Sequence, residues 1–242
     1  MPNDPLASIL SPEERRTHQR LGRENGSSGR KRASETGINA VRVSVYRVPT
    51  DGHESDGTYQ WDATTLVLVE ITAADETGLG FTYADCATAT LIHDSLAKVV
   101  TGHDPMHIPR AWIAMVQAIR NIGRPGVASM AISAVDNALW DLKARLLNTP
   151  LVSLLGPARD TLPVYGSGGF TSYTPDRLQE QLRGWVSQGI PRVKMKIGRN
   201  PDADAARVAA ARQAIGDDAE LFVDANGAYS RKQALQLAHA FQ

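Results

Sequence analysis

The chain is poor in cysteine: Cys86 is the single one among 242 residues. One thiol excludes an intramolecular disulfide framework and any cysteine-rich zinc site. Such sparing use of cysteine is typical of proteins in a reducing compartment. We therefore expect a cytoplasmic protein.

The chain also lacks an excess of charge of either sign, since 26 lysines and arginines balance 26 aspartates and glutamates. No global positive field exists to attract phosphate backbones or anionic lipids. We therefore expect no nucleic-acid partner and no membrane partner. The length and the 42% of hydrophobic residues are sufficient for one large domain or two small ones.

Residues 1–37 lack an apolar run of signal-peptide length, and we do not expect them to be an export signal. Within them, residues 22–32 are rich in glycine, serine and charge, and burial cannot offset the entropy cost of ordering them. We expect residues 1–37 to form a disordered leader. The basic cluster at residues 30–32 is interpreted as a solvated tail rather than a nucleic-acid or targeting patch.

Alternating apolar and polar side chains predict strands at residues 39–48 and 64–72, followed by a third strand at residues 78–83. The intervening residues 49–62 have the composition of a long polar loop with two Asp-Gly pairs. Loops of this length in compact domains are often functional lids.

After the strands, apolar spacing of three and four predicts helices at residues 86–100, 108–122 and 128–147. A block of strands followed by a block of helices is typical of a small α+β domain. We assign this domain to residues 38–157.

From residue 158 onward, strands and helices alternate. Strands are predicted at residues 162–170, 191–197 and 220–224, and helices at residues 175–188, 202–215 and 230–242. Three strand-helix units predict parallel strands with right-handed crossovers. Residues 158–242 therefore indicate a parallel (β/α) barrel or a doubly wound sheet.

Two lysines, Lys194 and Lys196, lie two residues apart on one predicted strand, so they point to the same face. Neighbouring positive charges and partial burial both disfavour protonation, so one lysine of the pair is a candidate base near neutral pH. The alternative is a pair of exposed lysines on an edge strand.

A carboxylate and an amide, Asp224 and Asn226, stand at the carboxyl end of the next strand and on one side of it. Oxygen donors suit Mg²⁺, so Asp224 is a candidate ligand, and Asn226 is a candidate for orienting a neighbour and for contacting substrate. The alternative is that both residues begin a turn. In α/β folds, ligands gather at the carboxyl ends of parallel strands, where these residues and the lysines fall.

His53 lies in the polar loop at residues 49–62 and is a candidate substrate contact. A solvated loop histidine is the alternative, because loops lie mostly at the surface. The histidines of the chain do not have ligand spacing such as HExxH, and none is assigned to a metal.

Residues 131–156 (AISAVDNALWDLKARLLNTPLVSLLG) closely resemble the signature segment of the mandelate racemase and muconate lactonising enzyme family of the enolase superfamily. The order of strands, helical block, signature, KxK and DxN is similar to that family over residues 39–242. The resemblance implies an α+β capping domain and a (β/α)₇β barrel of the TIM type, with residues 49–62 as the loop that closes on substrate.

The resemblance also implies roles for the candidate residues. Lys196 corresponds to the base that removes the α-proton of a carboxylate substrate, and Lys194 to its partner lysine. Asp224 corresponds to the first of three carboxylate ligands of Mg²⁺, which stabilises an enediolate intermediate. The implied reaction is dehydration of a sugar acid, or racemisation or epimerisation, with cycloisomerisation as a further option.

A complete barrel of this type needs roughly 250 residues, whereas the chain from Leu162 onward supplies about 80. We expect the barrel to be incomplete in this chain, without the other two metal carboxylates. Open strand edges predict pairing with a second copy or with a complementing chain. The alternative function is therefore a truncated non-catalytic fragment, or one chain of a split enzyme.

Overall fold

The computed structural model describes residues 37–242, so the predicted leader lies almost entirely outside the described residues. The chain divides into two compact units. Among the described residues, the first comprises residues 37–48 together with residues 64–158, and the second comprises residues 49–63 together with residues 159–242. Within residues 37–242, no helix has the length and apolar character required to cross a membrane.

The first unit is built on a three-stranded sheet in the order β1, β2, β3. The strands are β1 (Ile38–Ser55), β2 (Gln60–Ala73) and β3 (Glu76–Tyr83). The helices are α1 (Cys86–Leu91), a π-helical segment (Ile92–Leu96), α2 (Ala97–Val100), α3 (Ile108–Ala118), α4 (Val127–Leu146) and α5 (Leu151–Leu155). Strands followed by helices agree with the predicted α+β domain.

Helix α4 packs directly on strand β3, and two glycines make the close approach possible. A Cβ atom on Gly80 would lie 2.1 Å from the carbonyl oxygen of Ala134, and one on Gly78 would lie 2.2 Å from that of Ala138. Both glycines are buried, and buried side chains of α4, including Val135, belong to the adjoining hydrophobic core. The helix backbone therefore lies against the strand backbone with no room for a side chain.

Gly80→Ala is expected to destabilise the protein by about 2–3 kcal/mol, because the added methyl group must displace backbone atoms. The measurement is the free energy of unfolding in urea. Gly184→Ala is the matched control, since a Cβ atom there meets nothing within 4 Å. Alanine is the better helix former, so this control should be slightly stabilising. Equal stability of wild type and Gly80→Ala would contradict the close packing.

The second unit is built on a parallel sheet in the order β4, β5, β6. Its strands are β4 (Gly166–Ser167), β5 (Arg192–Lys196) and β6 (Glu220–Asp224), and its helices are α6 (Pro175–Ser187), α7 (Pro201–Ile215) and α8 (Arg231–Ala240). Thr174 caps α6, and Ser230 with Gln233 forms a capping box on α8. The β/α alternation agrees with the first part of a barrel.

The strand predicted at residues 162–170 is wrong in its first half: the strand covers Gly166 and Ser167, and backbone hydrogen bonds to β5 continue only to Gly168 and Gly169. In the parallel register Gly166 lies opposite Val193, which places residues 162–164 opposite the turn before β5. Among residues 37–242, Leu162 has no partner strand, and it is exposed. Gly166, Gly168 and Gly169 have no side chains and so leave room for the Trp185 ring and neighbouring side chains.

The long loop predicted at residues 49–62 is also wrong, because these residues form a β-hairpin arm. Strand β1 continues to Ser55 and β2 begins at Gln60, leaving a four-residue tip. Asp56 forms the turn: its backbone N–H donates to the Tyr59 carbonyl, and its Oδ1 accepts from the backbone N–H groups of Thr58 and Tyr59. A polar strand is stable here because its backbone pairs with β2 and accepts hydrogen bonds from the Thr171 backbone N–H and the Ser172 hydroxyl.

Candidate active site

Strand β5 alternates between buried and half-buried side chains. Val193 and Met195 are fully buried, whereas Lys194 and Lys196 lie on the opposite face. The register with β6 places Lys196 opposite Asp224. The two lysines and the carboxylate therefore share one face of the parallel sheet, with Lys196 and Asp224 ending their strands.

The two ammonium groups converge on one carboxylate oxygen. Lys196 Nζ lies 2.7 Å from Asp224 Oδ2, and Lys194 Nζ lies 3.2 Å from the same atom. The exposed fractions of the lysine side chains are 12% and 17%. The alternative of two exposed lysines is therefore wrong: both belong to a compact charged cluster.

The pKa of Asp224 is set by opposing effects. Burial raises the pKa, but hydrogen bonds from Lys196, the Asn226 backbone and Lys194, together with the Lys196 charge, bring the pKa of Asp224 down to about 2. Asp224 is therefore ionised at neutral pH.

The contribution of Asp224 to stability should disappear in acid. Because the pKa of Asp224 is lower in the folded than in the unfolded state, the ionised carboxylate stabilises the protein at pH values above its ordinary pKa of 3.8. This contribution is lost as the pH falls toward about 2. In metal-free buffer, the unfolding free energies of wild type and Asp224→Asn should differ at pH 6 and converge to within about 1 kcal/mol near pH 2. A difference that does not change with pH would contradict the lowered pKa.

Asn226 completes the cluster. Its side-chain Oδ1 accepts a hydrogen bond of 2.8 Å from Lys196 Nζ, and its backbone N–H donates to Asp224 Oδ1. Its φ of 50° lies in the left-handed region, which asparagine tolerates better than most residues. The amide therefore holds the Lys196 ammonium from a second direction.

The tip of the hairpin arm packs against the strand ends that carry the cluster. A Cβ atom on Gly57 would lie 2.3 Å from the Ala225 carbonyl oxygen and 2.8 Å from that of Ile197. The adjacent carboxylate, Asp56, is buried. Burial raises the pKa of Asp56, but hydrogen bonds from Thr58 and Tyr59 and the Lys196 charge together lower it below its ordinary value.

Polar contacts hold the arm in place. The Thr171 hydroxyl lies 2.6 Å from the Ser55 hydroxyl and donates to the Asp56 carbonyl, while Arg199 donates to the Tyr59 carbonyl. The His53 imidazole is exposed, and the His53 carbonyl accepts a hydrogen bond from the Ser172 hydroxyl. The structure thus brings together Lys194, Lys196, Asp224 and Asn226, and leaves the His53 imidazole at the surface of the arm.

The donor set for a metal is incomplete in this part of the chain. Across residues 37–242, no group of three His, Cys, Asp or Glu side chains could hold a metal ion. Asp224 is chemically suited to be one ligand of Mg²⁺, which takes carboxylate oxygens. The described residues therefore fit one position of a magnesium site but do not form such a site by themselves.

Sequence reasoning missed Asp56 and Arg199 as neighbours of the cluster. Asp56 begins one of the two Asp-Gly pairs, and such a pair between strands is a strong hairpin signal. That signal could have identified the turn. The contact between the turn and the strand ends is long-range and leaves no mark in local sequence.

Two protein-family models match the chain, and each is named by its description. The description "Mandelate racemase / muconate lactonizing enzyme, N-terminal domain" matches residues 40–156. The description "Enolase C-terminal domain-like" matches residues 177–242. The first match covers the antiparallel strands and the helical block, and the second covers β5 and β6 of the parallel sheet.

Two relatives of known activity are similar over most of the chain. A 3,6-anhydro-alpha-L-galactonate cycloisomerase of Streptomyces coelicolor is 37% identical over 212 residues, which are 84% of this chain and 58% of the relative. An L-talarate/galactarate dehydratase of Salmonella typhimurium is 32% identical over 226 residues, which are 87% of this chain and 56% of the relative. The chain thus spans less than two thirds of either relative.

Two solved structures share the fold. A mandelate racemase/muconate lactonizing enzyme-like protein from Rubrobacter xylanophilus is 57% identical, with a TM-score of 0.83, over 85% of this chain and 57% of that one. A racemase from Streptomyces coelicolor A3(2) with bound magnesium is 36% identical, with a TM-score of 0.80, over 84% of this chain and 59% of that one.

Proposed function

Because the chain belongs to the mandelate racemase/muconate lactonizing enzyme family of the enolase superfamily, we propose that it supplies the lysine side of a Mg²⁺-dependent site that removes the α-proton of a sugar acid. The observation that carries the proposal is the convergence of two half-buried lysines on Asp224 at the ends of adjacent parallel strands.

Lys196 is the proposed base. Its ammonium is held by Asp224 and Asn226, so its position is fixed before substrate arrives. To act as a base it must give up its ammonium proton before it accepts the substrate proton. Removal of the α-proton transfers that proton to Lys196 Nζ and leaves an enediolate on the substrate.

Lys194 and Asp224 have supporting roles in the proposal. The Lys194 ammonium lies on the same face and would attract the substrate carboxylate. Asp224 would provide one ligand to Mg²⁺, with other ligands from outside the described residues. When bound, Mg²⁺ supplies positive charge that stabilises negative charge developing on the substrate. The named activities of the relatives, and magnesium in one of them, support this assignment.

The hairpin arm would close over the substrate. Its tip packs on the ends of β5 and β6, and Asp56 lies near enough to Lys196 for their charges to interact. Asn226 is proposed to orient the base beside the substrate, and His53, exposed on the arm, is the proposed substrate contact from that side. Polar groups of this kind suit a hydroxylated acid.

The test is product analysis by NMR after incubation of the protein with Mg²⁺ and a panel of sugar acids. A dehydratase gives a keto acid formed by loss of water, and a racemase or epimerase gives an inverted α-carbon. We expect dehydration, because a dehydratase is among the relatives. A cycloisomerase gives an isomer of the substrate by opening or closing a ring. If none of the three products forms with any acid of the panel, the alternative holds: a non-catalytic fragment or one chain of a split enzyme.

A further inference from the structure

Asp204, in the first turn of α7, is a carboxylate that the proposed function does not use. It is almost fully buried, with 1% of its surface exposed. Its Oδ2 accepts a hydrogen bond of 2.8 Å from the Gly198 backbone N–H and another from the Tyr229 hydroxyl. Asp204 therefore joins the loop that follows β5 to the loop that follows β6.

Arg207, one turn later on α7, engages the loop that follows β4. Its guanidinium donates to the carbonyls of Tyr173 and Phe170, at 3.0 and 3.1 Å. Burial lowers the pKa of Arg207, and the charge of Asp204 partly opposes this effect. Two charged side chains of one helix thus contact the loops after all three parallel strands.

A buried carboxylate costs free energy unless hydrogen bonds and nearby positive charge replace its water. Asp204 receives two hydrogen bonds, the Arg207 charge and the positive end of the α7 helix dipole. Tyr229 is affected by Asp204 in turn: burial and the hydrogen bond to Asp204 raise the pKa of the Tyr229 phenol. The arrangement favours one fixed geometry of the loops.

The two loops that Asp204 joins pack without free space. Gly198 has a φ of 102°, and a Cβ atom on it would lie 2.7 Å from Ala228 Cβ and 3.3 Å from Gly57 Cα. Gly198 is two residues beyond Lys196, and Tyr229 is three beyond Asn226. Any shift between these loops would change the distance between Lys196 Nζ and its partners.

We propose that Asp204 is a positioning residue, which acts through Gly198 and Tyr229 to hold Lys196 against Asp224 and Asn226. The importance of Asp204 for catalysis rests on the proposed function of Lys196 as the base. The placement of Lys196 itself can be measured without turnover. The competing explanation is that Asp204 only stabilises the second unit.

The test uses the full chain with lysines isotope-labelled at Cε, and the Lys196 NMR signal is assigned from its loss in Lys196→Arg. In Tyr229→Phe and Asp204→Asn we expect the Lys196 signal to move, because the ammonium leaves its fixed position. The Gly198 amide should exchange about tenfold faster in Asp204→Asn, in keeping with loss of a hydrogen bond to a charged group. Tyr59→Phe is the matched control, since that side chain is 68% exposed.

Loss of global stability alone does not move the signals of the folded state. An unchanged Lys196 signal in Tyr229→Phe and Asp204→Asn, with a lower unfolding temperature, would therefore overturn the proposal. Asp204 would then only stabilise the second unit. If Asp204→Asn does not fold, Tyr229→Phe decides, because it removes a single hydroxyl. Absence of turnover by the wild-type protein would count against the proposed function and would leave the NMR result interpretable.

Discussion

Replacing Lys196 by methionine is expected to reduce kcat for a converted sugar acid by about a thousandfold or more, because loss of a general base typically costs two to four orders of magnitude. Methionine is unbranched like lysine and only one atom shorter, but it cannot act as a base. KM should change little, since Lys194 still attracts the carboxylate. The measurement is steady-state kinetics of wild type and Lys196→Met.

Lys232→Met is the matched control, because Lys232 lies exposed on α8 of the same unit. This control should retain wild-type kcat. A Lys196→Met protein that is folded and retains more than about a tenth of wild-type kcat would exclude Lys196 as the base.

Asp224→Asn is expected to have two large effects. At neutral pH it should lower the free energy of unfolding by about 2 kcal/mol, because two half-buried ammonium groups lose their shared counter-charge. It should also weaken Mg²⁺ binding at least about tenfold, because a carboxylate ligand becomes neutral. Urea unfolding and calorimetric titration with Mg²⁺ measure the two effects.

Glu220→Gln is the matched control on the same strand. Glu220 pairs with Arg192 at 2.9 Å, but its side chain is 56% exposed. An exposed ion pair contributes little, so this change should cost less than about 1 kcal/mol and leave Mg²⁺ affinity unchanged. Equal effects of the two substitutions would show that Asp224 has no special place in the cluster.

The charged cluster could be anticipated from sequence because it depends on local periodicity. Alternation along residues 191–197 places Lys194 and Lys196 on one face whatever the rest of the chain does. Parallel β/α order then aligns the strand ends, which puts Asp224 beside Lys196. Helices α4, α6 and α7 followed in the same way from the spacing of their apolar residues.

The hairpin arm could not be anticipated because its stability is not local. Residues 49–62 have the composition of a loop, yet contacts such as Ser55 to Thr171 hold them as strands. Asp204 could not be identified from sequence for a similar reason. Aspartate is common in the first turn of a helix, where its charge interacts favourably with the helix dipole. Its partner Tyr229 is 25 residues away in the chain.

The exchange of the α-proton of a sugar acid for solvent deuterium tests the central claim most directly. It reports proton removal itself, whether or not a product accumulates, and proton NMR in deuterium oxide follows it. For an acid that the protein binds, we predict that the α-proton signal disappears with wild-type protein and Mg²⁺ and persists with EDTA or with Lys196→Met. Disappearance of the signal with Lys196→Met, or its persistence with wild type and Mg²⁺, would contradict the account.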